Sequence, residues 1–506
     1  MPEGADPLDI RYNVINWVDR ATRGWSYGAS VSDPRTGEII KGSVLLGSLR
    51  VRQDMLIFEG LVGADQDGKG GPNDPIQVSL ARIRQLAAHE VGHSLGLSHN
   101  FAASTYGRAS VMDYPAPLVG VTPQGDLDFS NAYAKGVGAW DVFAIKWAYT
   151  QLPPGTDEKA ALDAMVRDAL AHGLIFLTDE DARPPGAANP KAVLWDNGAD
   201  PVASLRQEME VRRIGLARFG EHNIAPGRPL AFPQEVLAPL YLHHRYQLDA
   251  ALKVVGGLDY TYALRGDGQP PARPVDGERQ RAALAAVLDT ITPAALDLPE
   301  PVIALLLPRP SGYNPNIEMF HGDTDPVFDP LAAAASAADL AVDGLLQPER
   351  AARLVDHHRR DPKLPGLEEV LGALVDKSFG GTASGTGAGT REAELRRVVQ
   401  WVVVRRLIGL ADDRDASEGV RARVEGTLRA LRGRLDPGIS PSTGPQTTAA
   451  DPEVAQRAFL AAEVSRYLDR TDRDPSKLPL PPPAPPGQPI GNASLPDGLS
   501  GCSWGG

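Results

Sequence analysis

Cysteine is almost absent from this chain of 506 residues, in which Cys502 is the only thiol. No disulfide can therefore form within the chain, and no metal site can be built from several cysteine thiolates. A chain of this length can bury a large apolar core, so it does not need disulfides in order to fold. The scarcity of cysteine thus excludes a disulfide-stapled scaffold but leaves the cellular compartment open.

Long apolar runs and an excess of positive charge are also missing. No stretch of about 18 apolar residues occurs, so a transmembrane helix is not predicted. The net charge is −13 and the pI is about 5.3. This balance argues against a nucleic-acid or anionic-membrane partner, because binding to phosphates needs a basic face. The first residues, MPEGADPLD, lack the basic and apolar regions of a signal peptide.

The chain changes character near residue 152. Before this point, Asp9–Val18 and Glu38–Leu46 have the β-branched and alternating patterns that predict strands. A helix is predicted from near Pro75 to about Leu95, and Gly96 is placed to end it. Beyond residue 152, segments rich in Ala, Leu and Arg at helical spacing continue to about residue 470. We therefore predict an α+β module at 1–152, an α-helical region at 153–470 and a Pro-rich, disordered tail at 471–506.

The segment HEVGHSLGLSH, residues 89 to 99, carries the clearest chemistry in the sequence. His89 and His93 are four residues apart, so on a helix their imidazoles point the same way and suit one zinc ion. Gly96 permits a sharp turn, after which His99 can return as a third nitrogen ligand. Glu90 can reach a metal-bound water without itself ligating the metal. Three histidine ligands leave a fourth position open, which is typical of a catalytic zinc site.

Chance is a poor explanation for this pattern. HExxH alone arises by accident in many proteins, where its histidines are ordinary core or surface residues on a helix. The chain has ten histidines in all, and from its composition the full pattern would occur about once in 10⁵ such chains. The sequence therefore favours a zinc site over unrelated histidines.

A second motif supports the first. The extended pattern HExxHxxGxxH is the metzincin signature, and Ser110–Tyr114, which reads SVMDY, resembles the Met-turn of the astacin and serralysin branches. A lone methionine is usually a core residue, but Met112 follows His99 by thirteen positions. The resemblance implies that Met112 supports the ligand cluster and that Tyr114 lies beside the zinc, where it would ligate the metal or stabilise an oxyanion.

The wider sequence resembles the bacterial Met-zincin family of large zinc-dependent metallopeptidases with a helical C-terminal region. The segments NVINWV, DPRTGEI, RIRQLAAHEVGHSLGLSHNF, LWDNGADP and LYLHHRYQ carry this likeness, and Ala139–Tyr149 resembles the helix that closes metzincin domains. The resemblance implies Zn²⁺ as cofactor, a peptide or protein substrate and a periplasmic or secreted location. In the family, a strand, a long helix and a second strand come first, so we expect such a portion ahead of Asp9, together with any signal peptide.

These features predict a zinc endopeptidase in which Glu90 acts as the general base. The resemblance also implies that the substrate binds as an extended peptide and pairs with an edge strand near Ile40–Leu46. The alternative is a catalytically silent protein that binds zinc or peptide as a scaffold.

Other polar residues favour structural roles. His243 and His244 are adjacent and point to different helix faces, so a packing or domain-interface role is favoured over zinc binding. Asp196 and Asp200 in LWDNGADP are interpreted as turn or cap residues. The acidic loop at 65–74 does not have EF-hand spacing, which favours a solvated loop over a calcium site.

Overall fold

A small mixed sheet forms the N-terminal part of the protein. The computed structural model describes residues 4–19, 25–313, 318–380, 390–435 and 452–470, together with residues 2 and 316. The predicted tail at 471–506 lies outside the described residues. The strands of the sheet are β1 (Val14–Val18), β2 (Tyr27–Ser32) and β3 (Ile39–Gly47).

The central position in this sheet belongs to β3. It pairs with β1 in parallel and with β2 in antiparallel orientation. The turn at Asp33–Gly37 folds β2 back onto β3, and the Gly37 N–H donates to the Asp33 carbonyl oxygen over 2.8 Å. The prediction of an edge strand near Ile40–Leu46 is therefore wrong, because that segment is paired on both sides. The edges of the sheet are β1 and β2.

Two helices follow the sheet in the chain, and the second of them packs against β2 and β3. The second of them, α2 (Pro75–Ser94), confirms the predicted helix, and the Asp74 carboxylate caps it by accepting from the Ile76 N–H. The first, α1 (Leu49–Val62), was not predicted. Its buried face includes Asp54 beside Phe58 and Leu61, so the apolar period that signals an amphipathic helix is interrupted.

The rest of the described chain is mainly helical, and the predicted α+β class is confirmed. The expected closing helix is α3 (Ala139–Tyr149). The later helices are α4 (Glu158–Ala171), α5 (Asp179–Ala182), α6 (Pro201–Arg218), α7 (Pro233–Tyr241), α8 (Arg245–Val254), α9 (Gly277–Asp289), α10 (Pro293–Leu296), α11 (Glu300–Leu305), α12 (Pro330–Leu345), α13 (Pro348–Arg360), α14 (Leu367–Phe379), α15 (Arg391–Asp412), α16 (Glu418–Leu435) and α17 (Pro452–Leu468). Two-residue strands form the pairs β4 (Gly120–Val121) with β5 (Leu127–Asp128) and β6 (Leu258–Asp259) with β7 (Arg273–Pro274).

One large apolar cluster runs through most of the molecule. It includes Phe58 of α1 and Val78 of α2 together with Leu240 of α7 and residues of the C-terminal helices up to Tyr467. The division at residues 152 and 153 stays a prediction, and residues from both sides of it share this cluster. Within the described ranges no single helix is long and apolar enough to cross a membrane, although α9 followed by 293–305 passes that test as a pair bent by 59°.

The two adjacent histidines fall at the break between α7 and α8. His243 is buried, with Nε2 2.7 Å from a carboxylate oxygen of Glu208, and His244 is 2% exposed. The packing interpretation is therefore confirmed. Asp200 is also confirmed as a cap, because its carboxylate accepts from the Val202 N–H at the start of α6.

A first prediction follows from the close contact between β2 and α2. A Cβ on Gly28 would overlap the backbone carbonyl oxygen of Glu90, so we expect Gly28→Ala to push β2 away from the helix. Overpacking of this kind typically costs about 1–3 kcal/mol in the free energy of unfolding, which urea denaturation measures. The matched control is Gly47→Ala in β3, where a Cβ would have no neighbour within 4 Å. Equal stability of the two variants would contradict the proposed contact.

Candidate metal centre

Three imidazoles converge at the C-terminal end of α2. His89 and His93 lie one turn apart on the helix, with their Nε2 atoms 3.1 Å apart. Gly96 follows in the left-handed conformation, with φ of +85°, and the chain turns back so that His99 Nε2 comes within 3.1 Å of His93 Nε2. One nitrogen from each ring lies within 4.8 Å of the other two. The predicted ligands are thus brought together by one helix and one glycine turn.

The second nitrogen of each ring contacts an oxygen atom. A carbonyl or carboxylate oxygen can only accept a hydrogen bond, so the ring Nδ1 must carry the proton. The pairs are His89 with the Val111 carbonyl oxygen at 2.6 Å, His93 with the Leu97 carbonyl oxygen at 2.8 Å, and His99 with Asp179 Oδ2 at 2.8 Å.

This pattern tests whether a metal fits the site. With Nδ1 protonated, each Nε2 presents a lone pair, and the three lone pairs face one another. Burial, together with the neighbouring histidines, lowers the pKa of His93 to about 4 and that of His89 well below its usual value, so these rings are neutral near pH 7. Three nitrogen acceptors this close together repel one another unless a cation lies between them. The residues therefore fit a divalent metal with nitrogen ligands, of which zinc is the usual example.

Met112 lies directly against the turn of α2 that carries His89 and His93. Its side chain is fully buried, and a Cβ on Gly92 would overlap the Met112 sulfur atom. Gly92 lies between the two helical histidines, so only a residue without a side chain leaves room for the methionine there. The Met112 carbonyl oxygen also accepts from the Asn100 N–H over 3.0 Å, which ties this turn to the residue after His99.

The turn that contains Met112 is held by Asp141 of α3. Asp141 Oδ1 accepts from Ser110 Oγ over 2.6 Å, and Oδ2 accepts from the N–H groups of Val111 and Gly138 over 2.8 and 2.7 Å. Asp141 is only 3% exposed, so these bonds are made away from solvent and are stronger for it. The closing helix therefore fixes the loop whose carbonyl orients His89.

Tyr114 lies beside the histidines on the same loop. Its ring centroid is 5.2 Å from that of His89 and 4.8 Å from that of His99. Arg183 Nη2 lies 3.4 Å from the phenol oxygen, and the Trp195 N–H donates to the Tyr114 carbonyl oxygen over 2.8 Å. Burial raises the pKa of Tyr114 to about 12, although the positive charge of Arg183 opposes the rise. The phenol is therefore a neutral hydrogen-bond donor near pH 7.

Glu90 is buried beside the cluster, on the side of the sheet. Its side chain is not among the three convergent ligands, and burial raises its pKa to about 7, against the positive charge of Arg82 and the N–H of Gly28. A carboxyl group with such a pKa can accept and release a proton near neutral pH.

Three residues of this centre were not predicted. Asp179, Arg183 and Trp195 all lie beyond residue 152, yet each contacts His99 or Tyr114. Trp195 adopts a left-handed backbone with φ of +65°, a conformation that costs free energy for a bulky residue and often marks a functional region. The one available signal was the motif LWDNGADP, which the sequence analysis noted without assigning chemistry to its tryptophan.

Comparison with known proteins gives one match. A family model described as Met-zincin matches residues 71–385, which is more than half of the chain and includes the three histidines and Met112. No curated protein and no solved structure matches.

The buried carboxylate of Asp141 provides a second prediction. Asp141→Ala would leave one hydroxyl and two backbone N–H groups without their acceptor, and each buried unsatisfied group costs about 1–3 kcal/mol. We expect the free energy of unfolding, measured in urea, to fall by about 3 kcal/mol and the affinity for Zn²⁺ to weaken. Asp126→Ala is the control, because the Asp126 side chain is 60% exposed in its pair with Arg218. Wild-type stability and affinity in Asp141→Ala would contradict the role of this contact.

Proposed function

The chain belongs to the Met-zincin family, and from that premise we propose that it is a zinc-dependent metalloendopeptidase. The observation that carries the proposal is the convergence of three imidazole nitrogens with a buried carboxyl group and a buried phenol beside them. The substrate would be a peptide or protein. From the family resemblance alone we also propose a periplasmic or secreted location.

The roles follow from the chemistry of each side chain. His89, His93 and His99 would hold the zinc, which when bound supplies a Lewis acid that polarises the scissile carbonyl and activates water. Glu90 would take a proton from the attacking water and pass it to the leaving nitrogen, as its pKa of about 7 permits. Tyr114 would donate a hydrogen bond from its neutral phenol to the oxyanion that develops on the substrate carbonyl.

The substrate would bind along the edge strand β2. Gly28 of β2 lies against the backbone of Glu90, so this edge of the sheet runs past the proposed base. An extended peptide that adds to β2 would bring its backbone to the metal centre through main-chain hydrogen bonds. This proposal replaces the edge near Ile40–Leu46, which is internal to the sheet.

A third prediction tests the proposed base and the metal together. We expect the purified chain to hold about one zinc, as single-metal sites of this type do, and to cleave an unfolded protein such as casein. Glu90→Gln should keep the zinc, measured by atomic emission, while cleavage falls by about 10²–10⁴-fold, because proton transfer is lost. Glu158→Gln, at an exposed position in the first turn of α4, is the control.

The outcomes of this experiment distinguish the endopeptidase from the catalytically silent alternative, the two functions that the sequence analysis left open. Zinc without cleavage in the wild type would favour the silent zinc- or peptide-binding alternative. Absence of zinc would contradict both.

A fourth prediction concerns the phenol. Tyr114→Phe removes the hydroxyl and keeps the ring, so we expect zinc content and KM to change little while kcat falls by about 10²-fold, the usual effect of losing one oxyanion donor. Tyr149→Phe is the matched control, because its hydroxyl donates to the Leu95 carbonyl oxygen at an exposed position. An unchanged kcat in Tyr114→Phe would remove this residue from the mechanism.

A further inference from the structure

We infer that Asp179 and Arg183 form a positioning pair that fixes the orientations of His99 and Tyr114. Both belong to the short α5 region, about 80 residues beyond the histidine motif. The part of this inference that concerns catalysis rests on the proposed function. The part that concerns metal binding stands without it.

Each of the three imidazoles donates a hydrogen bond from Nδ1, and the group that accepts from His99 is of a different chemical kind from the other two acceptors. His89 and His93 donate from Nδ1 to backbone carbonyl oxygens, whereas His99 donates to a carboxylate, with its Nδ1 2.8 Å from Oδ2 and 3.1 Å from Oδ1 of Asp179. A carboxylate behind a metal-ligating imidazole fixes the tautomer and the ring orientation, and makes the ligating nitrogen more basic. Asp179 is also the one of the three partners that a substitution can remove.

Arg183 connects this carboxylate to the phenol. Its Nε donates to Asp179 Oδ1 one helical turn away, and its Nη2 lies 3.4 Å from the Tyr114 hydroxyl. The guanidinium carbon lies 5.6 Å from the ring centroids of both Phe101 and Tyr114, within reach of cation–π attraction. The Phe101 ring stacks on His99 with the centroids 5.0 Å apart, so Arg183 restrains two aromatic rings that both contact the third ligand.

The position of α5 is itself set by the helical region. Asp181 accepts one hydrogen bond from the Tyr260 hydroxyl over 2.5 Å and another from the Tyr262 hydroxyl. Both tyrosines come just after strand β6. Asp181 also accepts from the Thr178 N–H over 3.1 Å, which closes the first turn of α5. The segment beyond residue 152 thereby holds Asp179 at a fixed distance from the metal ligands.

The first experiment measures zinc affinity directly. Wild type, Asp179→Asn and Asp179→Ala would compete for Zn²⁺ alone against a chromophoric chelator. We expect Asp179→Ala to weaken the affinity by about 10–100-fold, as removal of an outer-sphere partner does, and Asp179→Asn to weaken it less, because an amide oxygen can still accept. Asp168→Ala is the matched control, since Asp168 also faces a histidine, with Oδ1 3.5 Å from His172 Nδ1, but in a solvent-exposed pair outside the histidine cluster. Wild-type affinity in Asp179→Ala would overturn the inference.

A double-mutant cycle tests whether Asp179 acts through His99 or only stabilises the fold. If Asp179 acts through His99, then Asp179→Ala should cost no further Zn²⁺ affinity in a chain that already carries His99→Ala. An equal loss in both backgrounds would mean that Asp179 only stabilises the fold, and would overturn the inference.

Arg183→Gln tests the other half of the pair. We expect a smaller loss of Zn²⁺ affinity than in Asp179→Ala, because Arg183 reaches His99 only through Asp179, and a fall in kcat with little change in KM. Loss of zinc affinity equal to that of Asp179→Ala, or an unchanged kcat, would overturn the role assigned to Arg183. If the wild type binds zinc but cleaves nothing, the proposed function fails, while the affinity series still decides the role of Asp179.

Discussion

The contacts on which the candidate metal centre depends are made by the backbone of Val111. Its carbonyl oxygen accepts from His89 Nδ1 over 2.6 Å and from Gln85 Nε2 over 3.1 Å, and its N–H donates to Asp141 over 2.8 Å. One residue thus ties the helix that carries the ligands to the closing helix α3. Because the carbonyl can only accept, it also fixes which nitrogen of His89 is free to bind a metal.

The centre is completed from the far side of the chain. α2 and the turn after it supply three candidate ligands, but Asp179 and Trp195, which contact His99 and Tyr114, belong to the segment beyond residue 152. A smaller apolar cluster, in which Phe101 and Ala102 pack with Leu177, Ala182 and Trp195, joins these two parts of the chain. The part of the chain beyond residue 152 therefore contributes contacts to the candidate metal centre, in addition to packing in the apolar core.

Local sequence gave accurate predictions where short-range physics decides the structure. The helix α2 begins where Asp74 caps it and a proline follows, and it ends before Gly96, as helix termini do. The closing helix, by contrast, was expected from the family resemblance, and it is observed at the bounds that the resemblance implied, Ala139–Tyr149. The unpredicted helix α1 buries Asp54, which is paired with Arg50 of the same helix. An ion pair makes a buried charge tolerable. A charged residue at a buried position nevertheless interrupts the apolar spacing from which an amphipathic helix is predicted.

The sequence by itself determined that three histidines converge as candidate ligands, because the spacing of His89, His93, Gly96 and His99 is a property of one helix and one left-handed turn. It also indicated Met112 and Tyr114, through a motif at a short and fixed distance along the chain. Only the tertiary structure decided that β3 is internal and β2 is an edge, since strand order depends on pairing between segments far apart in sequence. It alone decided that Asp179 lies behind His99, because no local pattern relates two residues separated by 80 positions.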